Sequence, residues 1–291
     1  TPSKPNWAAE WTNYWQPGEL GAQTRLHDFL NSQLDGYGKL RDRPDCQATS
    51  RLSPHLHFGE ISPRQILRSA TDHIEKTTKL SDDKSKFLSE IGWREFSYHL
   101  LYHFPFITTE NLRPSFDNYP WRVSPEDLKL WQKGKTGYPL VDAGMRQLWK
   151  TGYMHNRVRM ITASFLVKHL RIHWRAGEAW FWDTLLDADA ANNPVSWQWV
   201  SGSGADAAPY FRIFNPVLQA QKFDPDGTYI KRWCPELSGL DKRWIHAPWE
   251  ASSSTLSSSG VNLGSDYPLP IVVHTEARNA ALRAYSTIRN S

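Results

Sequence analysis

Residues Asp187 to Trp199 bring together two carboxylates (Asp187, Asp189), adjacent amides (Asn192, Asn193) and two indoles (Trp197, Trp199). These side chains hydrogen-bond and stack, and they follow an apolar, aromatic run from Ala179 to Leu186 that reads as a helix. Asp, Asn and Pro in this order end a helix and start a loop, because their side chains compete for backbone hydrogen bonds. Taken alone, a helix stop followed by two core tryptophans accounts for the stretch. Matching groups at distant positions set it apart.

The first is Thr49-Ser50-Arg51-Leu52-Ser53-Pro54. Ser53 is a good N-cap and Pro54 a good first helical residue. Such a start exposes N–H groups and a positive dipole end, with Thr49 and Ser50 hydroxyls beside it, and a phosphate or pyrophosphate fits there. Ser62-Pro63 is a second such start. The second is a periodic helix over 84–103 (Phe87, Leu88, Ile91, Trp93, Phe96, Leu100) that carries Glu90, Arg94 and Glu95. As sequence alone, it is an amphipathic core helix with solvated charges. Gly134-Lys135-Thr136-Gly137 lacks the spacing and the preceding strand of a phosphate loop, and that reading is rejected.

The elements that position these groups are helical. Residues 1–20 form a Pro-containing, extended lead-in, and 21–291 one domain. Helical periodicity begins near Ala22 and breaks at Asp35-Gly36. Residues 104–138 are loop-rich with a short helix around Trp131. Helices follow over 140–148, 155–170, 180–186 and 229–237, and Glu276–Tyr285 closes the chain. Residues 251–259 are Ser-rich and read as a surface loop. With few alternating strands and no repeats, the fold class is all-α.

Composition sets bounds. The 291 residues are 40% hydrophobic, with 34 basic against 30 acidic side chains and a formal net charge of +4. That balance permits an anionic partner without demanding one. No run spans a membrane and no secretory signal opens the chain. Cys46 and Cys234 stand in no metal-ligand spacing and read as reduced thiols of an intracellular protein. The chain starts at Thr1, without Met, which reads as a fragment or a processed form. The 15 tryptophans suggest a packed aromatic core, a stacking surface or a redox role.

Six separated blocks, in order, resemble the photolyase/cryptochrome family: Thr49-Ser-x-Leu-Ser53, Gly134-Lys-Thr-Gly-Tyr-Pro139, Met154-His-Asn-Arg157, Asp187-x-Asp189, Trp197-Gln-Trp199 and Tyr210-Phe-Arg-Ile-Phe-Asn-Pro216. The likeness covers the helical, flavin-binding half, about residues 20–285. The family's α/β antenna domain has no counterpart here, which places any antenna chromophore outside this chain. The resemblance implies FAD and no metal. Tyr37, Thr49, Ser50, Leu52 and Ser53 would hold the pyrophosphate region. Asp187 and Asp189 look like the pair that meets the flavin ring and its hydroxyls, with Arg159 as the partner of Asp187. Asn193 aligns with the residue facing flavin N5, where plant cryptochromes carry Asp.

Trp197, Trp174 and Trp121 resemble the family's electron-transfer chain, with Trp131 and Trp180 as branch members or plain core. On the substrate side the likeness implies a flipped-out DNA lesion. Glu90, Trp93, Asn156, Met160 and Trp199 match positions of its pocket, with Trp93 and Trp199 as walls and Glu90 and Asn156 as hydrogen-bonding groups, Glu90 as a carboxylic acid. Arg41, Arg94, Arg157, Arg212 and Gln219 would line a phosphate-contacting rim. His155 followed by Asn156 differs from the paired histidines of (6-4) enzymes, and Ala207-Ala208-Pro209-Tyr210-Phe211 is similar to the cyclobutane-dimer enzymes. Two departures stand out: Tyr153 stands where some relatives have tryptophan, and Phe87, a cofactor-binding position by the resemblance, stands where several have a tryptophan near the flavin and DNA. The implied activity is light-driven repair of cyclobutane pyrimidine dimers by a monomer. A blue-light photoreceptor of the cryptochrome type and a non-catalytic nucleic-acid module are the alternatives.

Overall fold

The computed structural model describes residues 6, 8–75, 81–206 and 211–289. Among them lie fourteen α-helices and no sheet, only one isolated bridge between Leu263 and Tyr267. In chain order the helices are α1 (Glu19–Ser32), α2 (Tyr37–Leu40), α3 (Ser53–His57), α4 (Pro63–Glu75), α5 (Ser81–His103), α6 (Pro125–Gln132), α7 (Pro139–Thr151), α8 (Asn156–Ser164), α9 (Trp174–Thr184), α10 (Asn192–Ser201), α11 (Pro216–Phe223), α12 (Thr228–Trp233), α13 (Ser253–Ser258) and α14 (His274–Arg289). No helix among the described residues is long and apolar enough to cross a membrane.

Local chemistry explains several boundaries. Ser62 and Gln65 form a reciprocal capping box at the start of α4, each side chain bonding the other's backbone N–H. Asn215 Oδ1 caps α11 by accepting from the N–H groups of Val217 and Leu218, with Pro216 behind it. The rejected phosphate loop has a structural occupant. Thr136 N, Thr136 Oγ1, Gly137 N and Tyr267 Oη all donate to the carboxylate of the fully buried Asp142, at 2.6–3.0 Å.

Several sequence expectations are corrected. The lead-in is not extended: Ala9–Asn13 form a 3-10 turn, α1 already begins at Glu19, and Trp15 Nε1 donates to Thr151 O. Ser53 is not an N-cap; Leu52 holds that place and the Ser53 hydroxyl turns to Asp187. The helix expected over 180–186 is α9, beginning at Trp174 and ending at Thr184. Asp189-to-Pro194 does not open a loop but starts α10, since the Asp189 carboxylate satisfies that helix's first N–H groups. Helix α12 is shorter than expected and passes into a 3-10 turn at Pro235–Leu237. In the Ser-rich stretch, Ser252 accepts from Thr255 N–H and so caps α13. The same side chains break a helix or cap one. Which way such a residue acts depends on the backbone groups that tertiary packing brings to it.

Two apolar cores position the site. The larger gathers α6–α12 and a π-helical turn at Phe165–His169; the smaller gathers α1–α5 around Phe29, Tyr37, Leu52 and Phe87. Helix α10 is central, touching α5, α8, α9 and the π turn. Helix α14 packs on that turn and closes a third cluster with Phe116 and Tyr119.

Candidate functional site

Asp187 lies in the segment between α9 and α10, and its Oδ2 accepts from Ser53 Oγ at 2.5 Å and Arg159 Nη2 at 2.8 Å. The guanidinium is fixed in turn by Nε donating to Met154 O at 2.7 Å. Burial opposes the charge on Arg159, but the charge of Asp187 and its hydrogen bond outweigh it and raise the guanidinium's pKa. The other oxygen, Asp187 Oδ1, is buried with no protein partner. Such an acceptor calls for a donor from a bound molecule.

The two aspartates divide their work. Both Asp189 oxygens are engaged in starting α10, Oδ1 with Ala191 and Asn192 N–H and Oδ2 with Asn192 Nδ2. Asn193, 7% exposed on the first turn of α10, donates through Nδ2 to Glu178 O at 3.2 Å and Oε1 at 2.8 Å. That orientation leaves its Oδ1 as an acceptor on the opposite side. Burial raises the Glu178 carboxyl above its ordinary range, against the bond from Asn193.

An anion is wanted at the 49–53 segment, though not for the reason inferred from sequence. Helix α3 is a single turn, too short for a substantial dipole. Instead, Arg51, at φ +51°, lays its guanidinium 4.7 Å from the Trp15 ring centre and 4.9 Å from that of Tyr153, and Arg25 lies 5.1 Å from Trp15. Both Nε atoms are buried without partners, and among the described residues neither arginine forms an ion pair within 4.0 Å. Burial lowers the pKa of both, and their mutual repulsion adds to the lowering at Arg25. Thr49 and Ser50 are half-buried beside them. Tyr37, Leu52 and Phe87 belong to the smaller core; Phe87 packs 4.6 Å from Phe29 and 5.7 Å from Tyr37, its aromatic faces spent on neighbours.

The tryptophans fall into separate settings. Trp197 packs 4.9 Å from Phe181 and 6.2 Å from Trp131. It lies on α9 at Gly177, where a Cβ would fall 2.2 Å from Trp197 Cη2, one turn from the fully buried Trp174. His173 connects onward, 5.6 Å from Trp174 and 4.9 Å from Trp121. Trp121 borders an open cleft of about 770 Å³ with Asn111, Asp117, His173, Arg175 and Glu178. Trp180 stacks on Trp149 at 5.8 Å, in a different pair.

The expected rim is more tightly paired than solvated arginines would be. Arg41 forms an ion pair with Glu90, and Arg157 binds Asp42 at 2.7 Å. Arg94 binds Glu95 at 2.6 Å and lies over Tyr98. Glu90 is thus held against Arg41 and does not stand free on the rim. Trp93 is 53% exposed beside Phe96, Asn156 is exposed at the start of α8, and Met160 and Trp199 are half-buried. Arg212 is exposed and Gln219 half-buried, on either side of the start of α11. The Ala207–Tyr210 part of the substrate-class motif lies outside the described residues. Glu178, Asn111, Arg25, Arg51 and Asp42 also take part in these contacts, and no motif or period in the sequence assigns them a role. Only Asp42, next to Arg41, carried a local signal.

A buried unpartnered carboxylate oxygen, an oriented amide and two unpaired guanidiniums suit a ligand with a ring N–H and phosphates. Comparison with known proteins agrees. Residues 87–287 match the family described as the FAD binding domain of DNA photolyase. A deoxyribodipyrimidine photo-lyase of Agrobacterium fabrum is 54% identical over 290 residues, which cover 100% of this chain and 60% of that protein. Cryptochrome-2 of Arabidopsis thaliana is 43% identical, over 96% of this chain and 47% of that protein. The crystal structure of a bacterial class III photolyase from Agrobacterium tumefaciens superposes with a TM-score of 0.96, over 100% of this chain and 60% of that one. The chain thus spans about three-fifths or less of these relatives. It belongs to the FAD-binding domain family of DNA photolyases, and its cofactor is FAD.

Proposed function

We propose that this chain is the catalytic domain of a cyclobutane pyrimidine dimer photolyase, acting as an intracellular monomer on damaged DNA. The observation that carries the reading is the free buried oxygen of Asp187, supported by the amide of Asn193 held by Glu178. Reduced FAD, when bound and excited by near-UV or blue light, supplies the one-electron chemistry that opens the cyclobutane ring. Asp187 would accept from a ring N–H, while Arg159 and Ser53 keep its carboxylate placed. Arg51, Arg25, Thr49 and Ser50 would meet the pyrophosphate. Asn193 offers a neutral amide where a carboxylate would alter the flavin's stable redox state.

On the substrate side, Trp93 and Trp199 would stack on the flipped bases and Met160 would pack against them. Asn156 and Glu90 would hydrogen-bond their edges, with Arg41 holding Glu90. Arg94, Arg157, Arg212 and Gln219 would meet backbone phosphates, so affinity would fall with salt. Trp197, Trp174 and Trp121 would carry electrons inward to restore the reduced cofactor.

The test is an absorption spectrum of the purified chain, then blue light with a dimer-containing oligothymidine under reducing conditions. Bound flavin and light-dependent recovery of thymine absorbance are expected. The photoreceptor reading draws on the 43% identity to a cryptochrome. Flavin that photoreduces without repair would favour it, as would full repair retained in Asn193→Asp.

A further inference from the structure

The cleft beside Trp121 is also bounded by Asn111, which touches the middle tryptophan. Trp174 Nε1–H donates to Asn111 Oδ1 at 2.8 Å, and Asn111 Nδ2 donates to Asp117 Oδ1 at 2.7 Å. Asn111 is 7% exposed, and its neighbours on both sides are tied to α10. Gln198 Oε1 accepts from Leu112 N–H at 2.8 Å, while Gln198 Nε2 donates to Glu110 O and Ile107 O at the same distance. The residue between Trp197 and Trp199 thereby sets the position of the acceptor on Trp174. The indoles differ at nitrogen: Trp174 has an amide acceptor backed by a carboxylate, whereas Trp121 Nε1 is buried without a partner.

We propose that Asn111, oriented by Gln198 and Asp117, is a positioning residue that keeps the electron vacancy on Trp174 in transit. The inference rests on the photolyase reading above. An indole that has given up one electron is a cation with an acidic N–H. A hydrogen-bond acceptor stabilises that charge, and more strongly than it would a neutral donor. A basic acceptor would take the proton and strand a neutral radical, but an amide oxygen is too weak a base to do so. Trp174 gives one electron to oxidised Trp197, regains one from Trp121, and keeps its proton throughout. Asp117 adds negative charge one amide away, without itself contacting the indole.

The experiment uses the FAD-loaded chain and the variants Asn111→Leu, Asn111→Asp and Asp117→Asn. The ground-state readout is the Trp174 indole N–H resonance, assigned by its disappearance in Trp174→Phe. It should move upfield in Asn111→Leu. After a blue flash, the yield of oxidised Trp121 should fall about tenfold in Asn111→Leu, the worth of one hydrogen bond to a charged group. Asn111→Asp should halt the vacancy as a neutral Trp174 radical. Asp117→Asn, a change at an exposed residue that leaves the packing intact, should lower the yield less. An unchanged yield in Asn111→Leu despite a shifted resonance overturns the proposal, as does normal passage in Asn111→Asp. If Asn111→Leu does not fold, an unchanged yield in Asp117→Asn overturns it. Unmutated protein with bound flavin but no flash-induced tryptophan oxidation would instead sink the electron-chain reading on which the proposal stands.

Discussion

Arg159 and Asp187 form the ion pair at the centre of the proposed cofactor site, with side-chain exposures of 24% and 2%. Arg159→Ala leaves a buried carboxylate with only Ser53 against it. Breaking such a pair costs about 3 kcal/mol. The variant should lose that much in urea-unfolding free energy and should be purified with little FAD. Full flavin content would mean that Asp187 does not need the cation. Glu90 differs, because its partner Arg41 is held in a network with Asp42 and Arg157. Glu90→Gln keeps the size but weakens the hold on Arg41. It should lower repair yield per bound lesion more than affinity for undamaged duplex, as measured by single-turnover repair beside a binding titration. A loss confined to undamaged-duplex affinity would put Glu90 on the rim.

At the scale of elements, α9 and α10 must approach closely for Trp197 to lie one turn from Trp174. Gly177 permits it. Gly177→Ala puts a methyl into the Trp197 ring. Overpacking of this kind costs about 1–3 kcal/mol. The variant should melt lower and photoreduce more slowly; unchanged photoreduction kinetics would mean that the Trp197 geometry survives the displacement. This contact was not legible in the sequence, because nothing beside a glycine shows which distant ring packs on it. Helix α5 was legible as a helix, but not which of its apolar residues are covered: Phe87 and Leu100 are buried, whereas Trp93 and Phe96 stand exposed. Helix α10 was not legible, since Asp189 and Asn192 send the same local signal whether they close one helix or open the next.

For the molecule as a whole, two buried histidines couple the fold to pH. His155 accepts from Arg157 N–H at the start of α8, and burial lowers its pKa to about 4. His169, on the π turn, meets His274 of α14 at 2.8 Å, and burial lowers its pKa to about 3. Both are neutral in the folded chain at pH 7. Below the ordinary imidazole value of about 6.5 the unfolded chain takes up protons that the folded chain refuses. Stability is therefore full above about pH 6.5 and falls as pH drops towards 4 and then 3. By pH 5 the loss should be on the order of 2 kcal/mol per histidine. Guanidinium midpoints at pH 7.5 and pH 5 would check this, and His169→Leu should flatten the dependence; an equal slope in that variant would clear His169 of the effect.

Taken by itself, the sequence determined the helical class, the six motif blocks and the residue types proposed to meet FAD, because each is written in local spacing or in side-chain chemistry. The tertiary structure decided how those residues are employed. It divided Asp187 from Asp189, turned Ser53 from a cap into a carboxylate partner, and paired Arg41 and Arg157 with acids. It also set Asn111, 63 residues from Trp174, against that indole. Hydrogen-bond and ion-pair partners so far apart along the chain leave no periodicity to read, and only the packing of α5, α8 and α9 around α10 brings them within reach.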